Sequence, residues 1–145
     1  MIVRPLRPED RAQWQPLWDG YNLFYERPDL PGEITETSWV RFLDLDEPMF
    51  AAVAEIDGKI VGLVHYLYHR STTMIENVCY LQDLFTAPEA RGTGVGRALI
   101  EHVYAEAAAA GLSRVYWQTH EANPARKLYD RVAEITPFRR YVKDL

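Results

Sequence analysis

Residues 83–97 read Asp83-Leu84-Phe85-Thr86-Ala87-Pro88-Glu89-Ala90-Arg91-Gly92-Thr93-Gly94-Val95-Gly96-Arg97. The first residues are of strand-forming type and Ala87-Pro88-Glu89 stops them. The glycines at 92, 94 and 96 then carry the chain into the start of a helix. Glycine turns sharply and leaves no side chain on the inner surface of such a turn. Successive backbone N–H groups can therefore converge on an anion at the positive end of the helix, and Arg91 and Arg97 add formal charge. The combination suits a pyrophosphate. Two other phosphate loops do not fit. No Gly-x-x-x-x-Gly-Lys-Ser/Thr run exists, and the dinucleotide fingerprint wants Gly or Ala where Arg97 stands. By itself Gly-x-Gly-x-Gly also reads as a tight connection with no ligand.

On the C-terminal side, a helix is expected from Gly94 to Ala110. Val95, Leu99, Val103 and Ala107 recur every four residues in it, and Gly111 is its stop. A strand over Arg114–Thr119 follows. Asn123-Pro124 then opens a helix with Leu128, Tyr129 and Val132 on one side, and Phe138–Val142 forms a last strand. On the N-terminal side, Met49–Ile56 and Lys59–Tyr68 are two strands joined by Asp57-Gly58, a strong two-residue hairpin signal, and Glu76–Thr86 is the next strand. Ile2–Leu6 reads as a strand and Pro8-Glu9-Asp10 as the first turn of a helix. Along that helix Trp14, Trp18, Tyr21 and Tyr25 make one aromatic stripe with Leu17 and Phe24. Arg27–Gly32 is a loop, and Thr37–Leu45 a second helix. The order is β-α-α-β-β-β-α-β-α-β, one mixed-sheet α/β domain over residues 1–145.

The 145 residues carry 16 Lys and Arg against 21 Asp and Glu, a net charge of −5, with 48% hydrophobic and 26% charged residues. This balance excludes disorder or a fibrous repeat for the whole chain. The acid excess argues against a nucleic-acid partner and favours a cationic ligand. Cys79 is the lone cysteine, and an inert buried thiol in a reducing compartment is its plain reading. No run approaches 18 apolar residues, and Met1–Asp10 lacks the pattern of a secretory signal. The expectation is a cytoplasmic protein with no membrane partner. No cluster of metal-ligand type is apparent, so no metal is expected.

Arg91-Gly92-Thr93-Gly94-Val95-Gly96 fits the pyrophosphate loop Arg/Gln-x-x-Gly-x-Gly/Ala of the GNAT acyltransferases (GCN5-related N-acetyltransferases). The preceding strand, the Pro-Glu-x-Arg-Gly turn, the following Arg-Ala-Leu-Ile helix, Val115–His120 and the Asn123…Leu128-Tyr129-Asp130 helix also resemble that family. Within it the chain is most similar to the yeast-type histone and polyamine acetyltransferases. The likeness is good over residues 48–142 and loose in the aromatic N-terminal third.

The resemblance implies an enzyme that moves an acetyl group from acetyl-CoA to a primary amine by direct attack. Gly92, Thr93, Gly94, Val95, Gly96 and the flanking Arg91 and Arg97 would hold the pyrophosphate. Leu84, Phe85 and Thr86 would pair their main chain with the pantetheine arm, in a gap where a bulge splays this strand from the next. A backbone N–H near Phe85 would face the thioester oxygen, a contact typically worth ~3 kcal/mol in the transition state. Asn123 would touch the cofactor arm, and it also reads as a plain helix cap. Tyr129 matches the tyrosine that protonates the departing thiolate, and it also reads as core. The leaving thiol near pKa 8.5 and a phenol near 10 are close enough for positioned proton donation.

The acceptor is harder to read. An ammonium near pKa 10.4 lacks a free lone pair at neutral pH, a handicap of ~4–5 kcal/mol. Some relatives place a Glu where this chain has Gln82, and Gln cannot take that proton. On a regular strand Asp83 points to the opposite face from Gln82. His120, Glu121 and Glu26 are conceivable bases through water, and no base is assigned. Tyr21, Phe24 and Tyr25, with Gln82, are candidates to line the acceptor pocket. Nearby acids Glu26, Asp29, Glu33 and Glu36 would suit a cationic amine, an amino acid or a lysine side chain, or simply face solvent. A homodimer through the late strands follows family habit. An acyl-CoA-binding module without chemistry is the alternative reading.

Overall fold

A computed structural model describes residues 1–145. Five strands form one sheet in the order β1-β2-β3-β4-β5: β1 Ile2–Pro5, β2 Met49–Ile56, β3 Lys59–His69, β4 Val78–Thr86 and β5 Val115–Tyr116. The first four run antiparallel to their neighbours and β5 is parallel to β4. Four helices complete the chain: α1 Arg11–Phe24, α2 Gly32–Leu43, α3 Val95–Ala109 and α4 Arg126–Val132. The mixed sheet, and the order of elements as far as α4, match the α/β expectation. No helix is long and apolar enough to cross a membrane.

The hairpin forms as the dipeptide requires. Asp57 and Gly58 both take positive φ (50° and 77°), and Ile56 pairs with Lys59 across the turn. Each face of the sheet carries its own core. On one face α3 lays down Val95, Leu99, Ile100, Val103 and Ala107 against Ala52, Ala54, Val64, Tyr66, Cys79 and Leu81. On the other, α1 and α2 bring Trp14, Leu17, Trp18, Tyr21 and Trp39 onto Ala51, Val53, Ile60 and Leu63. The aromatic stripe is therefore mostly core, with Trp14 stacked on Trp18 and Trp18 on Tyr21. Phe24 departs from the stripe and is exposed.

Several boundaries differ from the sequence expectation. α2 starts at Gly32 rather than Thr37, directly after Pro31, and ends at Leu43. Pro8–Asp10 is a short 3-10 turn that precedes α1. Asn123-Pro124 stands before α4 rather than opening it, because Ala125 N–H bonds to Asn123 Oδ1 at 2.9 Å in a local turn and the helix starts at Arg126. Arg114–Thr119 yields only the two residues of β5. Phe138–Val142 forms no strand. The strand before it in the chain, β5, has only two residues, about 7 Å of ladder, to offer as an edge. Phe138, Tyr141 and Val142 are left exposed.

Candidate active site

β4 ends at Thr86, a 3-10 turn covers Pro88–Ala90, and the three glycines lead into α3. Gly92 and Gly94 have φ of 77° and 86°, a region that disfavours any side chain. A Cβ built on either would meet nothing within 4 Å, so the inner surface of the turn is open. A Cβ on Gly96 would stand 3.3 Å from Leu128 Cδ2, which brings α4 against the turn. The amides of Gly92, Thr93 and Gly94 donate to no protein acceptor. The first bond into α3 runs from Ala98 N–H to Gly94 C=O at 3.0 Å, so Val95, Gly96 and Arg97 have the orphan amides of a helix start. No side chain caps it.

Thr93 turns its hydroxyl back onto Ala90 C=O. Arg97 pairs with Glu101 at 2.8 Å. Arg91 donates to Thr86 C=O at 3.2 Å with its guanidinium over the Phe85 ring. The arginines are thus partly engaged, and the unspent donors are main-chain amides. This cradle fits the diphosphate of acetyl-CoA.

Beside the turn the sheet is open. β4 pairs with β5 only at Cys79–Val115 and Tyr80–Tyr116, so β4 beyond Tyr80 has no strand on that side. The ladder alternation says which groups line the free edge. Ala87 N–H bonds to Val61 C=O at 2.8 Å, so Val61–Ala87 and Leu63–Phe85 are the mutually bonded pairs. Leu84 and Thr86 sit in the pairs between, and their N–H and C=O point away from β3. Phe85 spends its own amide on β3, so the outward donor expected near Phe85 is Leu84 N–H. The Phe85 ring faces α1, and with Gly20, Leu23, Phe24, Pro88 and Arg91 it borders an apolar groove of about 430 Å³. Phe24 stands in this groove with Phe85 and Arg91, and its ring packs edge-on to Tyr25 with centroids 5.0 Å apart.

The register of β4 breaks where the sheet parts. His65 pairs with Asp83 while Tyr66 pairs with Leu81, so Gln82 is the extra residue of a bulge and is exposed. The bulge reverses the faces. Cys79 and Leu81 look toward α3, and Asp83 looks toward α1, where it receives the Tyr21 hydroxyl at 2.6 Å. Burial, and then the Asp83 charge, push the Tyr21 hydroxyl's pKa well above the usual phenol value. Tyr25 packs on Tyr21 with centroids 4.8 Å apart, and its hydroxyl interacts with Thr119 and Asn123. Burial raises its pKa too.

Asn123 Nδ2 donates to Thr119 Oγ1 at 2.9 Å. Tyr129, half-buried on α4, packs edge-on to Trp117, and burial assisted by the charge of Tyr25 pushes its pKa up to about 12. Tyr21, Tyr25, Asn123 and Tyr129 therefore converge around the parting of β4 and β5. His120, Glu121 and Glu26 are surface residues, as are Asp29, Glu33 and Glu36, and Glu36 is paired with Arg11. Sequence reasoning missed His65 altogether and placed Asp83 only relative to Gln82. A lone His in the apolar run of β3 was the available signal.

A model of the acetyltransferase (GNAT) family matches residues 12–133. The chain is 37% identical over 136 residues to the D-amino-acid N-acetyltransferase HPA3 of Saccharomyces cerevisiae, spanning 92% of this chain and 84% of that protein. Among solved structures it resembles a ribosomal-protein-alanine N-acetyltransferase from Brucella melitensis biovar Abortus 2308, with a TM-score of 0.79 at 21% identity and all of both chains covered. It also resembles AAC(6')-Iy, solved with the bisubstrate analog CoA-S-monomethyl-acetylneamine, with a TM-score of 0.83 at 17% identity over 99% of this chain and 97% of that one. These two structures speak to the fold. The family match, together with the yeast relative, has a plain consequence: the chain belongs to the GNAT acetyltransferase family and is an acetyl-CoA-dependent N-acetyltransferase.

Proposed function

We propose that the acceptor is a small molecule with a primary amine, an amino acid or a small cationic amine, and that its nitrogen attacks between β4 and α4. The observation that carries this reading is the run of unpartnered amides from Gly92 to Gly94 beside the free edge of β4. Acetyl-CoA supplies an activated thioester. Gly92, Thr93, Gly94, Val95, Gly96 and Arg97 bind the diphosphate through main-chain N–H groups, with Arg91 and Arg97 adding charge. Leu84 and Thr86 give the pantetheine arm a strand edge, and Phe85 forms the wall. Leu84 N–H stabilises the negative charge that develops on the carbonyl oxygen, by ~3 kcal/mol for a well-placed donor. Asn123 supports the arm through the Thr119 turn.

Tyr129 faces the departing sulfur. With its pKa near 12 it keeps its proton at working pH. Full transfer to a thiolate of pKa ~8.5 runs uphill by roughly 3.5 units, so the O–H stabilises the sulfur chiefly as a hydrogen-bond donor. Tyr21, Phe24, Tyr25 and Gln82 border the acceptor side. The yeast relative's name, a D-amino-acid N-acetyltransferase, supports amino acids among the acceptors.

A homodimer is part of the proposal, supported by the exposed Phe138, Tyr141 and Val142, and so is a cytoplasmic location. Light scattering should give the mass of two chains. The function is tested by thiol release from acetyl-CoA against D- and L-amino acids, polyamines and basic peptides. Release above hydrolysis with small amines supports the reading. No release with any amine sinks it.

A further inference from the structure

Trp14, His65, Asp83 and Tyr21 form a hydrogen-bonded chain beneath α1, and the acetyl-transfer reading leaves Asp83 and His65 without a task. Both are buried, at 8% and 2% exposure. Trp14 Nε1 lies 3.1 Å from His65 Nε2. An indole N–H only donates, so His65 Nε2 carries no proton and the ring is neutral. Its one proton therefore sits on Nδ1 and is donated to Asp83 Oδ2 at 2.9 Å. The other carboxylate oxygen accepts the Tyr21 hydroxyl at 2.6 Å. One fixed tautomer thus orients every link: the Tyr21 hydrogen points inward, and the lone pairs of its oxygen stay free.

Charge is the second observation. Asp83 makes no ion pair with Lys or Arg, and the basic group in hydrogen-bond contact with it, His65, is neutral by the tautomer argument. The nearest other cation is Arg27, whose guanidinium stands over the Tyr21 and Tyr25 rings, 5.7 Å and 5.4 Å from their centroids, and does not touch the carboxylate. A buried carboxylate held only by neutral donors lacks a directly paired counter-charge. Position is the third. Asp83 directly follows the bulge residue Gln82, where β4 leaves β5, and the Tyr21 ring packs on Tyr25 at the same opening.

We propose that Asp83 and His65 are positioning residues for the acceptor: they hold Tyr21 so that its oxygen accepts an N–H from an amine bound as the ammonium ion, whose charge complements Asp83. This rests on the N-acetyltransferase reading and adds that the site captures the amine as its ammonium ion. That ion gives one proton to bulk water before the nitrogen lone pair attacks the thioester carbon. The second proton, lost as the amide forms and the C–S bond breaks, ends on the CoA sulfur. Asp83→Asn keeps the shape but lets the amide donate to Tyr21 and removes the charge. Tyr21→Phe removes only the hydroxyl.

The test combines nitrogen NMR of His65 in the free full chain with kinetics on the best amine of the acceptor panel. The expected spectrum is a neutral ring protonated on Nδ1. The expected kinetics are a tenfold or larger rise in acceptor KM in both variants, with acetyl-CoA KM within about twofold of wild type (a tenfold change is ~1.4 kcal/mol). An Nε2-protonated or cationic ring overturns the proposal. So does an unchanged acceptor KM in Tyr21→Phe, the variant that leaves the buried carboxylate in place. Wild type that turns over normally beside insensitive variants sinks this inference alone, whereas wild type that releases no CoA removes the parent reading and this one together.

Discussion

Gly62 on β3 lies directly under Val95 in the first turn of α3: a methyl group at position 62 would stand 2.7 Å from Val95 Cγ1 and 3.0 Å from Leu99 Cδ1. It would also meet Phe85 C=O at 3.2 Å. The missing side chain lets α3 sit close on the sheet, and so sets where its amide-rich N-terminus meets the end of β4. Gly62→Ala is expected to cost about 1–3 kcal/mol through overpacking. Thermal melts should show the loss, and calorimetry should show weaker CoA binding. Unchanged melting and CoA affinity would mean that the helix start is not set by this contact.

Gly94 separates backbone conformation from crowding. Its φ is 86° and no atom would touch an added Cβ. Gly94→Ala should therefore lose about 1–2 kcal/mol for the left-handed backbone alone. It should also weaken CoA by tilting the amides out of register. Gly32, equally open and without positive φ, is the control, and Gly32→Ala should leave CoA affinity as it is.

Tyr129→Phe removes one hydroxyl at the proposed leaving-group position. Turnover should fall tenfold or more, about 1.4 kcal/mol in barrier, while CoA affinity stays near normal. With the Tyr129 pKa near 12, the wild-type rate should show no loss from its ionisation around pH 10, where a free phenol would titrate. Full activity in the variant would take Tyr129 out of the mechanism.

Burial also predicts an alkaline limit to stability. It pushes Tyr68 and Tyr129 from 10.0 to about 12, and Cys79 from 9.0 to about 12, with Tyr21 and Tyr66 raised as well. Above pH 9 to 10 the unfolded chain gives up these protons while the folded chain keeps them. Stability is therefore whole below that range and declines as pH rises toward 12. Circular-dichroism melts taken from neutral pH upward should show Tm falling above about pH 10. A flat Tm up to about pH 11.5 would contradict the burial of these groups.

The parts of the fold that local chemistry controls were legible in the sequence. Asp57-Gly58 specified its turn, the spacing of Trp14, Trp18 and Tyr21 specified the buried side of α1, and Gly94 and Gly111 bounded α3. Features that depend on distant partners were not. The resemblance implied a bulge in this strand, but nothing in the local pattern places it at Gln82, one extra residue opposite β3. Its displacement turns Asp83 toward α1, so the contact with His65, 18 residues away, stayed hidden. Phe138–Val142 has strand-forming residues, but strand formation needs an edge, and β5 offers too little of one. The main-chain donors of the glycine turn were readable because backbone conformation alone creates them.

Titration of CoA into the nitrogen-labelled protein, followed amide by amide, tests the central claim most directly. The account predicts that the largest shifts fall on Gly92 through Arg97, with Leu84 and Thr86 next and the β1–β2 edge unmoved. Millimolar CoA that leaves the glycine amides where they were, or moves a different surface instead, would contradict it.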